Sequence, residues 1–179
     1  MSVLVVCTAN VCRSPLAARL LAAELGRAVP VTSAGVRATA GAPACEQARL
    51  VRPSEQRHAA VRLDAGQVRS AAIVLGAARE HRSAAVALAP AAQRRAFTVL
   101  QAARLAAWLE EQGTTAPAGL AADERLAWWV EELDAARGDA PRGDAADDDL
   151  PDPHDGGAPH EIVLPRIVDA AAVLGRVLH

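Results

Sequence analysis

The 179-residue chain has no tyrosine, no lysine, one phenylalanine, one methionine and three tryptophans. Without lysine a G-x-x-x-x-G-K-[ST] nucleotide-binding loop cannot exist, and all nineteen basic residues are arginine. Aromatics make up 2% of residues against a hydrophobic content of 51%. The core must therefore be built from small side chains, many of them alanine, on helices. Three cysteines, an odd and sparse set, do not make a disulfide framework and fit a reducing cytoplasm. No basic segment leads into a long apolar run, since the first run, residues 3–6, ends after four. Neither a secretory leader nor a membrane-spanning helix is expected. A net charge of −2 argues against a nucleic-acid partner.

Charge is unevenly spread along the chain. Residues 1–104 carry a net +9 and residues 105–179 a net −11. The basic half could present a field that attracts anionic substrates, or the two halves could interleave in space.

What is present is concentrated at residues 3–15, V-L-V-V-C-T-A-N-V-C-R-S-P. Residues 3–6 are a buried strand. Ser14 and Pro15 read as the N-cap and first residue of a helix. A loop of this length between strand and helix aims backbone N–H groups into a concavity that fits a phosphate-sized anion. Cys7 lies at its floor, where the same donors stabilise a thiolate. Arg13 stands at its rim, with a planar fork that can grip two oxygens.

The remaining chain alternates. A helix over 16–25 ends at Gly26, and a strand over 29–34 completes a right-handed βαβ unit. A short helix over 44–51, a loop with a helical turn over 52–67, a strand over 71–75 and a helix over 79–88 follow. Then come a strand over 97–100 and helices over 101–112 and 123–136. Residues 137–158, rich in Asp, Pro and Gly, are expected to be loop, disordered in part. A last helix spans 162–178, with Pro165 tolerable only in its first turn. This pattern predicts one α/β domain over 1–179. Its four-stranded parallel sheet carries helices on both faces, a flavodoxin-like three-layer sandwich with an extended helical and acidic-loop region at about 104–158.

The segment V-C-T-A-N-V-C-R-S-P resembles the signature of the low-molecular-weight protein tyrosine phosphatases, V-C-x-G-N-x-C-R-S-P. Ser33-Ala34-Gly35, Arg79-Glu80-His81 and Asp152-Pro153 extend the resemblance along nearly the whole chain in the family's order. It implies Cys7 as a nucleophile that forms a cysteinyl-phosphate, and a phosphate loop made of Thr8, Ala9, Asn10, Val11, Cys12, Arg13 and Ser14. Arg13 would clamp the phosphoryl oxygens, Ser14 would point its hydroxyl at the sulfur, and Asn10 would hold the loop in a left-handed turn. Asp152 would be the general acid and then base; Pro153 after it restricts its backbone, which favours it over Asp149 and Asp155. Cys12 is either a redox partner for Cys7 or a small buried residue, and Cys45 reads as structural. His58 and His81 read as capping or packing residues, and Trp108, Trp128 and Trp129 as core or a partner surface. No cofactor is implied, and no metal: a C-x4-C pair lacks a second ligand pair, and an ion there would occupy the nucleophile.

The implied function is a protein tyrosine phosphatase of the cytoplasm acting on phosphorylated protein, without nucleic-acid or membrane partners. Ala9 stands where glycine is usual, which adds strain if that position needs positive φ. Aromatic walls for a tyrosine ring are missing, with Thr39 and His154 at those places. A protein arginine phosphatase is the alternative, although Val11 is closer to the tyrosine type than a threonine. Arsenate reduction needs further cysteines, and residues 76–90 contain none. A non-catalytic phospho-residue-binding module would have no use for Asp152.

Overall fold

Apolar runs too short for helices become the strands of one parallel sheet: β1 (Val3–Cys7), β2 (Val31–Gly35), β3 (Ile73–Gly76) and β4 (Ala96–Thr98), in the order β2-β1-β3-β4. This is a computed structural model that describes residues 1–54, 57–144 and 146–179. Val3 pairs with Val31 on one side and Ile73 on the other, and Val74 pairs with Ala96. Because β2 and β3 flank β1, the chain leaves β1 and β3 towards opposite faces and a crevice opens at the carboxyl edge between them. Cys7 is the last residue of β1 and sits at that edge.

β1 is buried along its whole length because both faces of the sheet are covered. Val3, Val5, Cys7, Ile73, Leu75 and Phe97 face α1 (Arg13–Leu25), α5 (Val99–Glu111), α6 (Ala122–Asp139) and α7 (His160–Leu178). Leu4, Val6, Val74 and Ala96 face α3 (Ala65–Ser70), α4 (Arg79–Leu88) and the 3₁₀ turn Pro90–Arg95. The short α2 (Glu46–Val51) packs Ala48 into the first layer. The second layer is largely alanine, as the composition requires. Trp129 is buried in the first layer, and Trp108 and Trp128 pack against it.

Several boundaries differ from the sequence reading. The fourth strand stops at Thr98, whose hydroxyl accepts the Gln101 N–H at 3.1 Å and so caps α5. The chain between 52 and 67 contains a cap at Asp64, which starts α3 early; the part of that expected loop at residues 55–56 lies outside the described residues. α7 begins at His160, so Pro165 falls in its second turn, exposed, where its missing N–H leaves the Glu161 carbonyl on the solvent side. α6 runs on to Asp139.

The acidic segment is not loose. Its residue 145 lies outside the described residues, but the chain from 146 onward is pinned to the sheet. The Leu150 N–H donates to the Ala77 carbonyl at 2.8 Å, just past β3, and the Leu150 side chain is fully buried. Asp149 accepts from the Arg79 N–H at 2.7 Å and its Nε at 3.0 Å. Arg104 pairs with Asp148, and Arg166 donates to the Asp147 carbonyl. Polar composition alone reads as disorder, whereas one buried leucine and a set of arginines supply the ordering free energy. The ion pairs Arg13–Asp152, Arg79–Asp149, Arg94–Asp134 and Arg104–Asp148 all join the basic half to the acidic half. At these four pairs the two halves interleave.

Candidate active site

The loop from Cys7 to Arg13 turns its carbonyls outward. Cys7 O accepts from Val36 N–H at 2.9 Å, Thr8 O from Arg37 N–H at 2.8 Å, Val11 O from Cys45 N–H at 2.7 Å and Cys12 O from Leu16 N–H at 3.1 Å. Asn10 O lies 2.6 Å from His58 Nε2. In a trans peptide the following N–H points opposite to the carbonyl. The N–H groups of Thr8, Ala9, Val11, Cys12 and Arg13 therefore face inward, which makes the concavity an anion cradle.

Asn10 is the single non-glycine among the described residues with positive φ, at 56°. Its side chain explains why asparagine stands there. Nδ2 donates to Ser14 Oγ at 2.9 Å and to Ser33 Oγ at 2.8 Å, and Oδ1 accepts the Val61 N–H at 2.8 Å. One buried amide thus ties the loop to α1, to β2 and to the segment before α3. Ala9 does not take positive φ, so the strain expected from its missing glycine does not arise. The glycine requirement falls on Gly35 instead: a Cβ there would lie 2.7 Å from Asn10 N and from Thr8 O.

Ser14 is not the helix cap. α1 starts at Arg13 with Cys12 before it and no side-chain cap. The Ser14 hydroxyl turns to the cysteine instead, with Oγ 3.0 Å from Cys7 Sγ, while the Asn10 N–H points at the same sulfur from 3.3 Å. Cys7 is 2% exposed.

Arg13 is buried rather than at the rim, at 3% exposure. Its guanidinium donates to the Leu150 carbonyl at 2.9 Å and to Thr8 Oγ1 at 3.1 Å, and pairs with Asp152 Oδ2. Of the acids considered for this loop, Asp149 is spent on Arg79, and Asp152 is the one brought to the cradle. Asp152 Oδ1 accepts the His154 N–H at 3.1 Å, which closes the turn through Pro153.

Two histidines read as capping or packing residues support the loop. His58 reaches Asn10 O, as above. His81, fully buried, accepts the Ala78 N–H on Nδ1 at 3.0 Å and so covers the start of α4. That bond leaves the proton on Nε2, which sits 2.9 Å from Thr8 Oγ1. Burial, helped by Arg13, holds the imidazole neutral and takes its pKa down to about 4. The Ala78 contact is the local capping role open to a histidine there, whereas the contacts to Asn10 and Thr8 join residues 48 and 73 apart, which no sequence spacing shows.

Cys12, also buried, has its Sγ within 4.8 Å of the Cys45 Sγ. All three cysteines are free thiols. The Cys12–Cys45 hydrogen bond holds Cys45 down to about 5, and together with burial it pushes Cys12 up. Cys45 also caps α2 by accepting the Ala48 N–H at 3.4 Å. His154 and His160 stand beside this pair, and the four ligand-type atoms all lie within 4.8 Å of one another. The second ligand pair that the sequence did not show is present in space.

A family model described as low molecular weight phosphotyrosine protein phosphatase matches residues 2–106. The chain belongs to that family. The match covers the cradle, β1 to β4 and the start of α5, and ends before the acidic loop, short of the near-complete resemblance expected. The probable low molecular weight protein-tyrosine-phosphatase AmsI of Erwinia amylovora is 41% identical over 78 residues, 41% of this chain and 54% of that protein. The chain thus spans about half the length of this curated relative. Over 99% of its length the fold is similar to the tyrosine phosphatase Wzb of Escherichia coli K30, solved with phosphate, at TM-score 0.65, 20% identity and 92% of that chain. It is similar over the same share to the YwlE arginine phosphatase of Geobacillus stearothermophilus, at TM-score 0.62, 25% identity and 90% of that chain. No helix among the described residues is long and apolar enough to cross a membrane.

Proposed function

We propose that this family member is a cysteine-dependent phosphomonoester hydrolase, a protein tyrosine phosphatase working through a cysteinyl-phosphate. The observation that carries the reading is the meeting of Asp152 with Arg13 at the mouth of the loop that holds Cys7. A bare anion-binding module needs the cradle alone; a carboxylate beside the phosphoryl clamp is what hydrolysis adds.

Cys7 Sγ attacks phosphorus while the ester P–O bond breaks, and Asp152 gives its proton to the leaving oxygen. Arg13 exchanges Asp152 for the equatorial phosphoryl oxygens, joined by the inward N–H groups of residues 8, 9 and 11–13, so that charge is met by preset donors. Water then attacks phosphorus, Asp152 takes its proton, and the sulfur leaves with the Ser14 hydroxyl and the Asn10 N–H donating to it. Cys12 is a supporting residue under the loop. The protein substrate is met in the reducing cytoplasm, where three free thiols persist.

An arginine phosphatase is the second reading, favoured by one observation: His154, at a place expected to wall a tyrosine ring, turns its ring to His160 in an edge contact with centroids 4.8 Å apart. Phosphotyrosine binding thus lacks a stacking gain of about 1 kcal/mol. The deciding experiment compares release of phosphate from phosphotyrosyl and phosphoarginyl peptides by the wild type and Cys7→Ser. Tyrosine preference is the expected result, with turnover by Cys7→Ser lowered about 10⁴-fold or more and vanadate still bound. Turnover near the wild-type rate in that variant overturns the reading.

A further inference from the structure

We propose that Cys12, Cys45, His154 and His160 form a zinc site that fastens the acid-bearing loop to the phosphate loop. Their ligand atoms all lie within 4.8 Å of one another. Two thiols and two imidazoles with no carboxylate are a donor set for tetrahedral zinc. The geometry is already close. Zn–N bonds of about 2.0–2.1 Å set an N···N edge of about 3.3–3.4 Å, and His154 Nε2 stands 3.4 Å from His160 Nε2. Zn–S bonds of about 2.3 Å set an S···S edge of about 3.8 Å and a mixed N···S edge of about 3.6 Å, so closure asks the longest separation to shorten by about 1.2 Å at most. Cys45 faces Cys12, His154 and His160 together, and an ion at the centre would bond all four groups at once.

The ligands come from separate parts of the chain, which is why their spacing in sequence concealed them. Cys12 precedes Arg13, Cys45 is the N-cap of α2, His154 follows Asp152 by two residues, and His160 opens α7. Cys45 Sγ also receives the Ala48 N–H, an outer bond of the kind that supports a thiolate ligand. Cys7 is not a member, so the ion leaves the nucleophile free and the hydrolytic steps run without it. Its effect is positional: it fixes the turn that carries Asp152 against the loop that carries Arg13.

The test is made on the full chain, reduced, stripped with chelator, and reloaded with zinc or cobalt before gel filtration. One zinc per chain is expected, and the cobalt form should show tetrahedral d–d bands with thiolate charge transfer. Cys45→Ser and His160→Ala should each weaken zinc at least a hundredfold, more than the loss of an outer partner costs, while His179→Ala and Cys7→Ser bind as the wild type. Zinc should raise the unfolding temperature of the wild type and leave that of Cys45→Ser unmoved. Binding of less than 0.2 equivalents at zinc concentrations around 10 µM (roughly, a weak structural site), an octahedral cobalt spectrum, or loss of zinc in Cys7→Ser overturns the proposal. If a variant fails to fold, the wild-type cobalt spectrum decides. Stoichiometry and spectrum do not depend on turnover, so they stand or fall apart from the phosphatase reading.

Discussion

Asp152 lies 139 residues after Arg13 and closes an ion pair with one nitrogen of its guanidinium, while the other nitrogen holds the Leu150 carbonyl at 2.9 Å. Arg13 therefore ties the loop that carries Asp152 to the Cys7–Arg13 loop by two separate contacts. A phosphoryl group that engages Arg13 competes with the Asp152 contact but not with the Leu150 one. On the proposed mechanism, the Leu150 contact would keep the loop in place while the Asp152 carboxylate is released.

Asp152→Asn is expected to leave the cradle able to bind phosphate and to slow hydrolysis by about 10²–10⁴-fold for phenyl or alkyl phosphates. The loss shrinks for an activated nitrophenyl ester, whose leaving oxygen needs no proton. Rates across a series of leaving groups give the slope. A uniform loss would make Asp152 an anchor for Arg13 only, and an unchanged rate would pass the acid role to Asp155.

Asn10→Ala removes three side-chain hydrogen bonds and puts a Cβ residue without local polar compensation at φ 56°. Unfolding in urea should show a loss of about 3 kcal/mol, from backbone strain of about 1–2 kcal/mol and unsatisfied buried partners. Asn10→Gly keeps the turn and should lose less. If glycine proves the worse substitute, the backbone conformation is not what asparagine supplies.

His81 adds a pH dependence to stability. Its folded pKa of about 4 lies below the 6.5 of an ordinary imidazole, so the unfolded chain binds the proton more readily. The stability that this neutral, buried ring contributes is fully present above pH 6.5 and is lost as the pH falls through 4, by about 3 kcal/mol in total. Arg13 is the chief charge facing the ring, with Asp152, Asp149 and Arg37 further contributors. Urea unfolding of His81→Gln at pH 7 and pH 4.5 should show a flatter profile than the wild type. An equal slope in both proteins would assign the acid sensitivity elsewhere.

The cradle and the sheet could be read from residues alone because their causes are local. Four apolar residues, a short polar loop and a helix start lie within thirteen positions, and strand, turn and helix preferences act over that distance. Hence Cys7 falls at the carboxyl end of β1 where the spacing places it, and the alternation of strands and helices already implies the parallel sheet; Arg13, expected at the rim, is buried. Even here one local expectation fails: Ser14 lies inside α1 and is not its cap, while its hydroxyl meets the Cys7 sulfur as the family resemblance implies. A serine before a proline looks like a cap until the sulfur and the Asn10 amide compete for it.

The rest depended on contacts between distant segments, which spacing does not encode. The acidic stretch has the composition of a disordered loop. Buried Leu150 and arginines from four different helices order it, and so put Asp152 rather than Asp149 on Arg13. In the same way Cys45, His154 and His160 are unremarkable singly and converge on Cys12 only when α2, α7 and the acidic turn are packed together. Local preference shaped the nucleophile's loop; burial and long-range pairing brought the carboxylate and the ligand cluster to it.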